Sequence, residues 1–326
     1  MDDSDEEKYL GDLITANGSN SKNIKARKAK GVRIADSIMS ILENTFFGPF
    51  FFEASLILRS SLLINSILLN SEVWYGVSKA EVEELEVVDQ ALLKRILEAP
   101  STTPTPMLYL EMGCLPIRYI IMTRRIMYLH YLLTQDDDSL LSSFFMAQWE
   151  NPVPGDWTEQ VKIDLEKIKL DLTLETIKLM SKEEFQKVVK NAINKTAFAY
   201  LNVEKQKRDK VKHIEHRYLK LQPYLCPGNL NIREAKLLFH LRTRMVDVKE
   251  NFRNKYPDTI CPVCKGDLKD TQEHVLVCSV LNHDRNMIVK SPVVFSWIFG
   301  TDVVKQSEVT RLFQYLWNLR TKFLEN

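Results

Sequence analysis

The stretch KAEVEELEVVDQALLKRILE, residues 79–98, has the pattern of an amphipathic α-helix. Its apolar residues recur every three or four positions and therefore share one helical face. Acidic residues fill its first half and basic residues its end, which is the order that the helix dipole favours. The apolar face consists of Val82, Leu85, Val88, Leu92, Leu93, Ile96 and Leu97. A chain built from such segments is predicted to be mainly α-helical.

The segments on both sides continue this pattern. Residues 8–14 are typical of a short strand or turn, and the prolines of residues 99–106 exclude a helix there. Residues 151–157 (NPVPGDW) are a strong helix breaker and mark a predicted boundary. Helices are predicted over about 22–43, 52–76, 108–112, 119–133, 158–220, 231–252 and 307–324.

The composition is that of a globular protein. Of 326 residues, 45% are hydrophobic and 27% charged, with only 10 Gly and 12 Pro, which excludes collagen, a disordered acidic tail and a disulfide-stapled miniprotein. The 44 Lys and Arg nearly balance the 43 Asp and Glu, so the net charge is +1. If these charges were distributed evenly along the chain, they would argue against nucleic acid as a partner. The spread is uneven, because residues 181–256 hold 18 basic and 8 acidic side chains.

The cysteine count and the amino terminus predict an intracellular protein, in the nucleus or the cytoplasm. Met1 is followed by acidic residues rather than by the basic start of a secretion signal, so the five cysteines are expected to be reduced. Residues 46–69 are apolar enough to suggest a membrane span, but Glu53 and Arg59 interrupt them. A buried core helix is predicted instead, with no membrane partner and no small-molecule substrate.

Three of the five cysteines fall within residues 261–278, together with one histidine. The spacing of Cys261 and Cys264 lets two thiolates share a metal ion from one tight turn. His274 and Cys278 lie four residues apart, which places them on the same face of a helix. A turn pair and a helical pair predict a closed, tetrahedral Cys3His site for a structural Zn²⁺. Ordinary buried thiols beside a surface histidine are the alternative.

Local signals around the four ligands complete this prediction. Gly266 is expected to take the left-handed conformation that ends the turn. Asp270 and Glu273 have the spacing of a capping box that opens the helix. His283 is a spare ligand beyond the helical pair.

The basic excess concentrates in residues 205–220 and continues to the cysteine segment. Such clusters bind phosphate backbones by counterion release, and rings among them can stack on unpaired bases. A solvated helix surface is the alternative. The candidate nucleic-acid contacts are Lys205, Lys207, Arg208, Lys210, Lys212, Arg217, Lys220, Arg242, Arg244, Arg253 and Lys255, and a secondary cluster comprises Lys22, Lys25, Arg27, Lys28, Lys30 and Arg33.

A family resemblance rests on motifs in a fixed order along residues 8–285. They are YLG at 9–11, NSEVWY at 70–75, EELE at 83–86, LEMGCLPIR at 110–118, RRIMYLHY at 124–131, KLLFHLRTRMVDVKENFRNKY at 236–256, and then Cys261-x2-Cys264, DTQEH at 270–274 and Cys278. Together they resemble the C-terminal region of LINE-type (non-LTR) retrotransposon reverse transcriptases, from the thumb to the zinc knuckle.

The resemblance implies four consecutive segments. These are a thumb-like helical bundle over residues 1–150, a basic helical linker over 158–256, a zinc knuckle over 257–285 and a C-terminal helical tail over 286–326. The implied function is binding of RNA or DNA without base specificity.

Neither catalytic centre of that family is carried over. Asp2 and Asp3 lack the hydrophobic strands that would present a polymerase aromatic-x-Asp-Asp hairpin, and Asp136, Asp137 and Asp138 have the pattern of a solvated turn. Pro257-Asp258 precedes the knuckle, whereas the endonuclease motif follows it. We therefore expect a non-catalytic nucleic-acid-binding remnant, or the tail of a larger RNA-directed DNA polymerase. The alternative from another class is a helical protein-interaction scaffold that no longer binds nucleic acid.

Overall fold

The computed structural model describes residues 6–9, 12–15, 20–45, 47–136, 138–266, 268–281 and 293–325. They are mainly helical, which confirms the predicted fold class. Two short strands, β1 (Glu6–Tyr9) and β2 (Asp12–Thr15), pair as an antiparallel hairpin where the sequence predicts a strand or turn.

The helices run through both halves of the chain. The first half carries α1 (Ser21–Asn44), α2 (Phe51–Leu58), α3 (Asn65–Ile67), α4 (Lys79–Ile96), α5 (Thr105–Met112), α6 (Ile117–Leu133) and α7 (Leu140–Glu150), with a π-helical turn (Arg59–Ile64) joining α2 to α3. The second half carries α8 (Trp157–Lys167), α9 (Leu174–Leu179), α10 (Lys182–Gln206), α11 (Ile232–Thr243), α12 (Gln272–Val277) and α13 (Val303–Glu325).

Two long predicted helices are interrupted in the structure. The segment 158–220 is three helices, because Lys169 takes a left-handed conformation and Thr173 caps the start of α9 with its side chain. In the segment 231–252, the helix (α11) ends at Thr243 because Arg244 takes a left-handed conformation, with φ of 60°. The basic residues that follow α10 and α11 therefore lie largely on irregular backbone rather than along one helical face.

The chain forms two compact units, and each is discontinuous in sequence. Unit 1 comprises Met1–Asn44, Leu56–Leu92 and Cys114–Tyr200, and unit 2 comprises Thr45–Ser55, Leu93–Gly113 and Leu201–Asn326. This division differs from the four consecutive segments that the resemblance implies. The predicted boundary at 151–157 lies inside unit 1, where the Trp157 indole donates a hydrogen bond to the Glu72 carbonyl at 2.8 Å.

The core of unit 1 is organised by α4 and by residues 56–67, the part of the preceding apolar stretch that belongs to this unit. Leu85 and Leu92, from the face predicted for α4, are fully buried. Arg59, in the π-helical turn, donates two hydrogen bonds to the buried Asp89 carboxylate at 2.6 and 2.7 Å. The apolar stretch, Gly48–Ile67, is long and apolar enough to cross a membrane by length and composition, and 39% of it is buried within the protein.

Unit 2 is organised around α11. Leu238 and Phe239 are fully buried, and α11 packs against α13. The helix begins with a complete capping box: the Asn231 side chain accepts from the Glu234 amide at 2.9 Å, and the Glu234 carboxylate accepts from the Asn231 amide at 3.1 Å. Two backbone donors that the helix itself cannot satisfy are thereby paired.

Replacing Asn231 by alanine is expected to destabilise unit 2. The Asn231→Ala protein should lose about 1 kcal/mol of free energy of unfolding, because one N-terminal amide of α11 loses its acceptor. Urea denaturation followed by far-UV circular dichroism measures this loss. Arg233→Ala, two residues further on at an exposed position, should change the stability by less than about 0.5 kcal/mol. Equal stability of the Asn231→Ala and parent proteins would contradict the capping role.

Candidate metal centre and basic cleft

The four predicted metal ligands lie together in unit 2. The ligand atoms of Cys261, Cys264, His274 and Cys278 all lie within 4.8 Å of one another. Tetrahedral ligands placed around one Zn²⁺ would lie about 3.8 Å apart, so the cluster has the right scale. His274 Nε2 is 3.4 Å from Cys264 Sγ, which identifies Nε2 as the nitrogen that faces the thiols. The predicted residues therefore form a cluster that could hold a metal ion.

The first two ligands are presented by a small hairpin. An antiparallel bridge joins Ile260 to Lys269, and the Cys261 amide donates to the Leu268 carbonyl at 3.0 Å. The prediction that Gly266 takes the left-handed conformation is wrong. Lys265 takes it instead, with φ of 49°, because the turn closes one residue earlier through its amide, which donates to the Cys261 carbonyl at 3.1 Å.

The third ligand sits on α12, which is capped by a residue other than the predicted one. The Thr271 side chain accepts from the His274 amide at 2.9 Å, so Thr271 is the N-cap. Asp270 does not cap the helix, because its fully buried carboxylate pairs with Arg320 of α13 through two 2.7 Å hydrogen bonds. The spare ligand, His283, lies outside the described residues, as do all of residues 282–292 of the predicted knuckle and tail.

The electrostatics of the cluster favour metal ligation at Cys264 and His274 and oppose it at Cys261. The Gly266 backbone amide lowers the pKa of the Cys264 thiol by hydrogen bonding, which favours the thiolate. Burial raises the pKa of the Cys261 thiol and lowers the pKa of His274, which keeps the imidazole neutral at pH 7. Neutral imidazole and thiolate are the forms that bind metal ions. Four protein ligands fill a tetrahedral shell, so the arrangement suits a structural rather than a catalytic ion.

A basic cleft, with a volume of about 930 Å³, lies in the same unit. Two chain segments form most of its lining, 207–213 after α10 and 250–255 before the cysteine hairpin. The Lys210 ammonium joins them by donating to the Asn251 carbonyl at 2.7 Å. Six of the predicted nucleic-acid residues line this cleft: Lys207, Arg208, Lys210, Arg244, Arg253 and Lys255.

Four of these six cations are neutralised locally. They form ion pairs within the protein, Lys207 with Glu204, Arg244 with Glu273, Arg253 with Glu250 and Lys255 with Asp247. Among the described residues, no carboxylate lies within ion-pair distance of Arg208 or Lys210. The pKa of Lys210 is lowered by partial burial and then by the nearby charges of Arg244 and Arg253. In the part of the chain that the structure describes, the positive charge of these two residues in the cleft is therefore not paired with a carboxylate.

One wall of the cleft is held in place by the residues around the metal cluster. The Asp270 carboxylate accepts from the Lys249 amide at 2.9 Å, and its backbone carbonyl accepts from the Glu250 amide at 3.1 Å. The Gln272 side chain accepts from the Asn251 side chain at 2.8 Å. The segment 249–251 thus depends for its position on residues that lie between the cysteine turn and the histidine ligand.

Three predicted nucleic-acid residues are buried and cannot reach a phosphate. Lys205 donates to the Ile214 carbonyl, Arg242 pairs with the buried Glu111, and Arg27 of α1 donates to the Ile67 carbonyl. Each cation is held by protein acceptors, because a buried charge must be compensated. Their burial corrects the prediction that these three residues contact nucleic acid.

The other predicted residues remain on the surface but outside the cleft. Lys212 pairs with Asp209 at 2.8 Å, and the Lys220 ammonium lies 5.8 Å from the centre of the Tyr218 ring. Arg217 is exposed. In the secondary cluster on α1, Lys28 is half-buried and pairs with Glu84 at 3.4 Å, whereas the others, Lys22, Lys25, Lys30 and Arg33, are exposed.

Residue Glu111, which the sequence did not single out as a site residue, forms the polar centre of unit 2. Its fully buried carboxylate accepts from Arg242 at 3.0 Å, from His216 at 3.0 Å and from Tyr224 at 2.8 Å. Burial would raise its pKa, but Arg242 and His216 outweigh burial and hold the pKa at about 2. An ionised carboxylate only accepts hydrogen bonds, so His216 Nε2 donates and its Nδ1 faces the Lys205 ammonium at 3.3 Å.

One of two rings in the cleft was missed, because His213 but not Phe252 was counted among the rings that can stack on bases. Phe252 and His213 both line it, and the His213 ring packs edge-on against Phe299 with centroids 4.1 Å apart. No periodic signal marks Phe252, because it lies at the end of a 3₁₀-helix of only four residues, Lys249–Phe252.

In comparisons with known proteins, no family model, no curated protein and no solved structure matches this chain.

Proposed function

We propose that this protein is a non-catalytic nucleic-acid-binding module, the remnant of a retrotransposon reverse transcriptase, that grips RNA or DNA without reading its bases. One observation carries the proposal. The cleft brings together six predicted basic residues from two stretches about 40 residues apart, and Arg208 and Lys210 have no carboxylate partner among the described residues. Uncompensated cations in a concave site are what a phosphate backbone recruits through counterion release.

Zinc is the proposed occupant of the Cys3His cluster, in a structural role. Three thiolates and one imidazole are the soft and borderline ligands that Zn²⁺ favours, and the cluster has no position left for a substrate. The ion would fix the hairpin and α12, and through Asp270 and Gln272 it would fix the wall of the cleft. Metal binding would thus support nucleic-acid binding within unit 2.

The alternative, a helical protein-interaction scaffold, is favoured by one surface of unit 1. An apolar depression of about 600 Å³ is lined by aromatic side chains that include Tyr128, Phe145 and Trp157. On its rim, Phe144 is 67% exposed. Large exposed apolar side chains of this kind are common at protein interfaces. A protein that binds no nucleic acid at low salt would favour this alternative.

Reversing the two uncompensated charges of the cleft should abolish most of the binding. The double variant Arg208→Glu/Lys210→Glu is expected to weaken affinity for RNA or DNA about 100-fold at roughly 50 mM salt. Its dependence of log Kd on log salt concentration should also be shallower by about two, because two phosphate contacts are lost. Fluorescence anisotropy with a labelled oligonucleotide at several salt concentrations measures both quantities.

The matched control reverses two exposed lysines on α10 that do not line the cleft. Lys187→Glu/Lys190→Glu changes the net charge by the same amount and should weaken binding only about twofold. Equal losses in the two double variants would mean that net charge, rather than the cleft, governs binding. Undetectable binding by the parent protein at low salt would reject the proposed function.

A further inference from the structure

The size of the basic cleft limits the form of nucleic acid that can enter it. Its volume of about 930 Å³ lies at the upper end of ordinary small-ligand sites. A cleft of this size encloses a few nucleotides of one strand, whereas a duplex would have to lie across its mouth. Proteins that grip single strands combine such a positively charged groove with rings on which bases stack.

Both elements are present in the cleft lining. The Lys210 ammonium lies 5.7 Å from the centre of the Phe252 ring, so a cation and an aromatic face adjoin each other. On the segment that follows α10, the exposed His213 ring is oriented by its edge-on contact with Phe299. The two rings therefore line the same cleft as Arg208 and Lys210, and Phe252 adjoins Lys210.

Bases within a duplex have no free face to offer these rings. Paired bases are already stacked on their neighbours, whereas an unpaired base can be splayed out and stacked on a protein ring. The rings of the cleft would therefore add affinity only for an unpaired strand. Phosphate contacts alone would add affinity for both forms.

We propose that the cleft is a site for single-stranded nucleic acid, with phosphates against Arg208 and Lys210 and unpaired bases stacked on Phe252 and His213. This inference rests on the proposed nucleic-acid-binding function and narrows its substrate to unpaired strands. Stacking tolerates every base, so the site would select strand form without selecting sequence.

The test compares one strand with its duplex in the full-length protein. The probes are a fluorescein-labelled oligo(dT) of about a dozen nucleotides and the same strand annealed to oligo(dA), titrated at low salt. We expect the single strand to bind at least about tenfold more tightly than the duplex. Phe252→Leu should weaken single-strand binding about tenfold and leave its salt dependence and the duplex affinity unchanged, because leucine keeps the apolar bulk and removes the ring.

Two further variants locate the effect in the cleft. Phe252→Tyr restores a ring and should restore the affinity. Tyr218→Leu removes a ring that is 65% exposed in the same basic stretch but outside the cleft, and it should change nothing. Unchanged thermal melting of Phe252→Leu shows that its effect is not a loss of folding.

The two proposals fail in different ways. If neither probe binds, the proposed function fails and this inference falls with it. If the duplex binds as tightly as the strand, or if Phe252→Leu has no effect, nucleic-acid binding stands and the single-strand assignment is overturned. A loss in Tyr218→Leu equal to that in Phe252→Leu would likewise overturn it.

Discussion

A protein in which Cys261 is replaced by serine should lose its bound metal and, with it, most of its affinity for nucleic acid. Serine cannot supply a thiolate, so three ligands would remain of the four that surround the metal position. Apparent binding free energies of structural zinc sites are about 10–16 kcal/mol and are part of the folding free energy. Loss of the metal should therefore unfold the cysteine hairpin and α12.

The effect should reach the cleft because the same residues hold its wall. Without the hairpin, Asp270 and Gln272 would no longer fix segment 249–251, which faces Lys210 through the Asn251 carbonyl. We expect nucleic-acid affinity to fall about 100-fold, comparable with the loss of two phosphate contacts. A chelator should reproduce the effect in the parent protein.

Elemental analysis of the purified protein and anisotropy titrations measure the two consequences separately. The parent protein should contain about one zinc per chain. Cys226→Ser is the control, because Cys226 lies outside the cluster and only donates weakly to the Leu221 and Gln222 carbonyls. A parent protein without stoichiometric metal, or a Cys261→Ser protein that keeps its metal, would reject the site. Metal loss without loss of binding would reject the link to the cleft.

Neutralising Glu111 should destabilise unit 2 more than any single change at the surface. In the Glu111→Gln protein, Arg242 would remain buried without its counter-charge, and one face of the amide would present donors to His216 or Tyr224. Breaking a buried ion pair in this way costs about 3–5 kcal/mol. Urea denaturation at pH 7 measures the loss as a shift of the midpoint.

The same carboxylate predicts a pH dependence of stability. Its pKa is about 2 in the folded protein, below the ordinary value of 4.5 that the unfolded chain would show. A depressed pKa contributes stability above the unfolded value, and that contribution is lost as the pH falls from about 4.5 towards 2. The parent protein should therefore lose stability over this range, and the Glu111→Gln protein should lose less.

Glu98→Gln provides the matched control for this experiment. Glu98 pairs with Lys236 at 2.8 Å, but its side chain is 66% exposed, so solvent screens the pair. An exposed pair contributes about 0–1 kcal/mol. Equal destabilisation by Glu111→Gln and Glu98→Gln would show that the buried network has no special role.

The sequence predicted those features of the molecule that depend on local spacing. The apolar face of α4 follows from a three-to-four-residue repeat, and the metal cluster follows from ligand pairs that are separated by two and three residues. Where these local predictions were wrong, the predicted feature lies one residue away from its predicted position. Thr271 caps α12 in place of Asp270, and Lys265 is left-handed in place of Gly266.

Features that depend on distant partners could not be predicted in this way. A basic residue within a basic run has the same local sequence whether it is exposed or buried. Arg242 is buried because it pairs with Glu111, which lies 131 residues earlier in the chain. Arg208 has no such partner among the described residues and lines the cleft. The cleft itself is lined by two segments that are distant in sequence and that the Lys210 contact with Asn251 joins. Burial therefore excludes the predicted contacts at Lys205, Arg242 and Arg27, whereas the contact at Arg208 stays a prediction.

The discontinuity of unit 2 has a consequence for the order in which the chain folds during synthesis. Glu111 is made early, but its partner Arg242 emerges from the ribosome 131 residues later, and Asp270 waits a further 50 residues for Arg320. Until then each carboxylate lacks the cation that compensates its burial, so unit 2 can close only after Arg320 has been synthesised. A fragment that begins at residue 201 would carry all four residues of the Cys3His cluster and every basic side chain that lines the cleft, yet it would lack the carboxylate that pairs with Arg242.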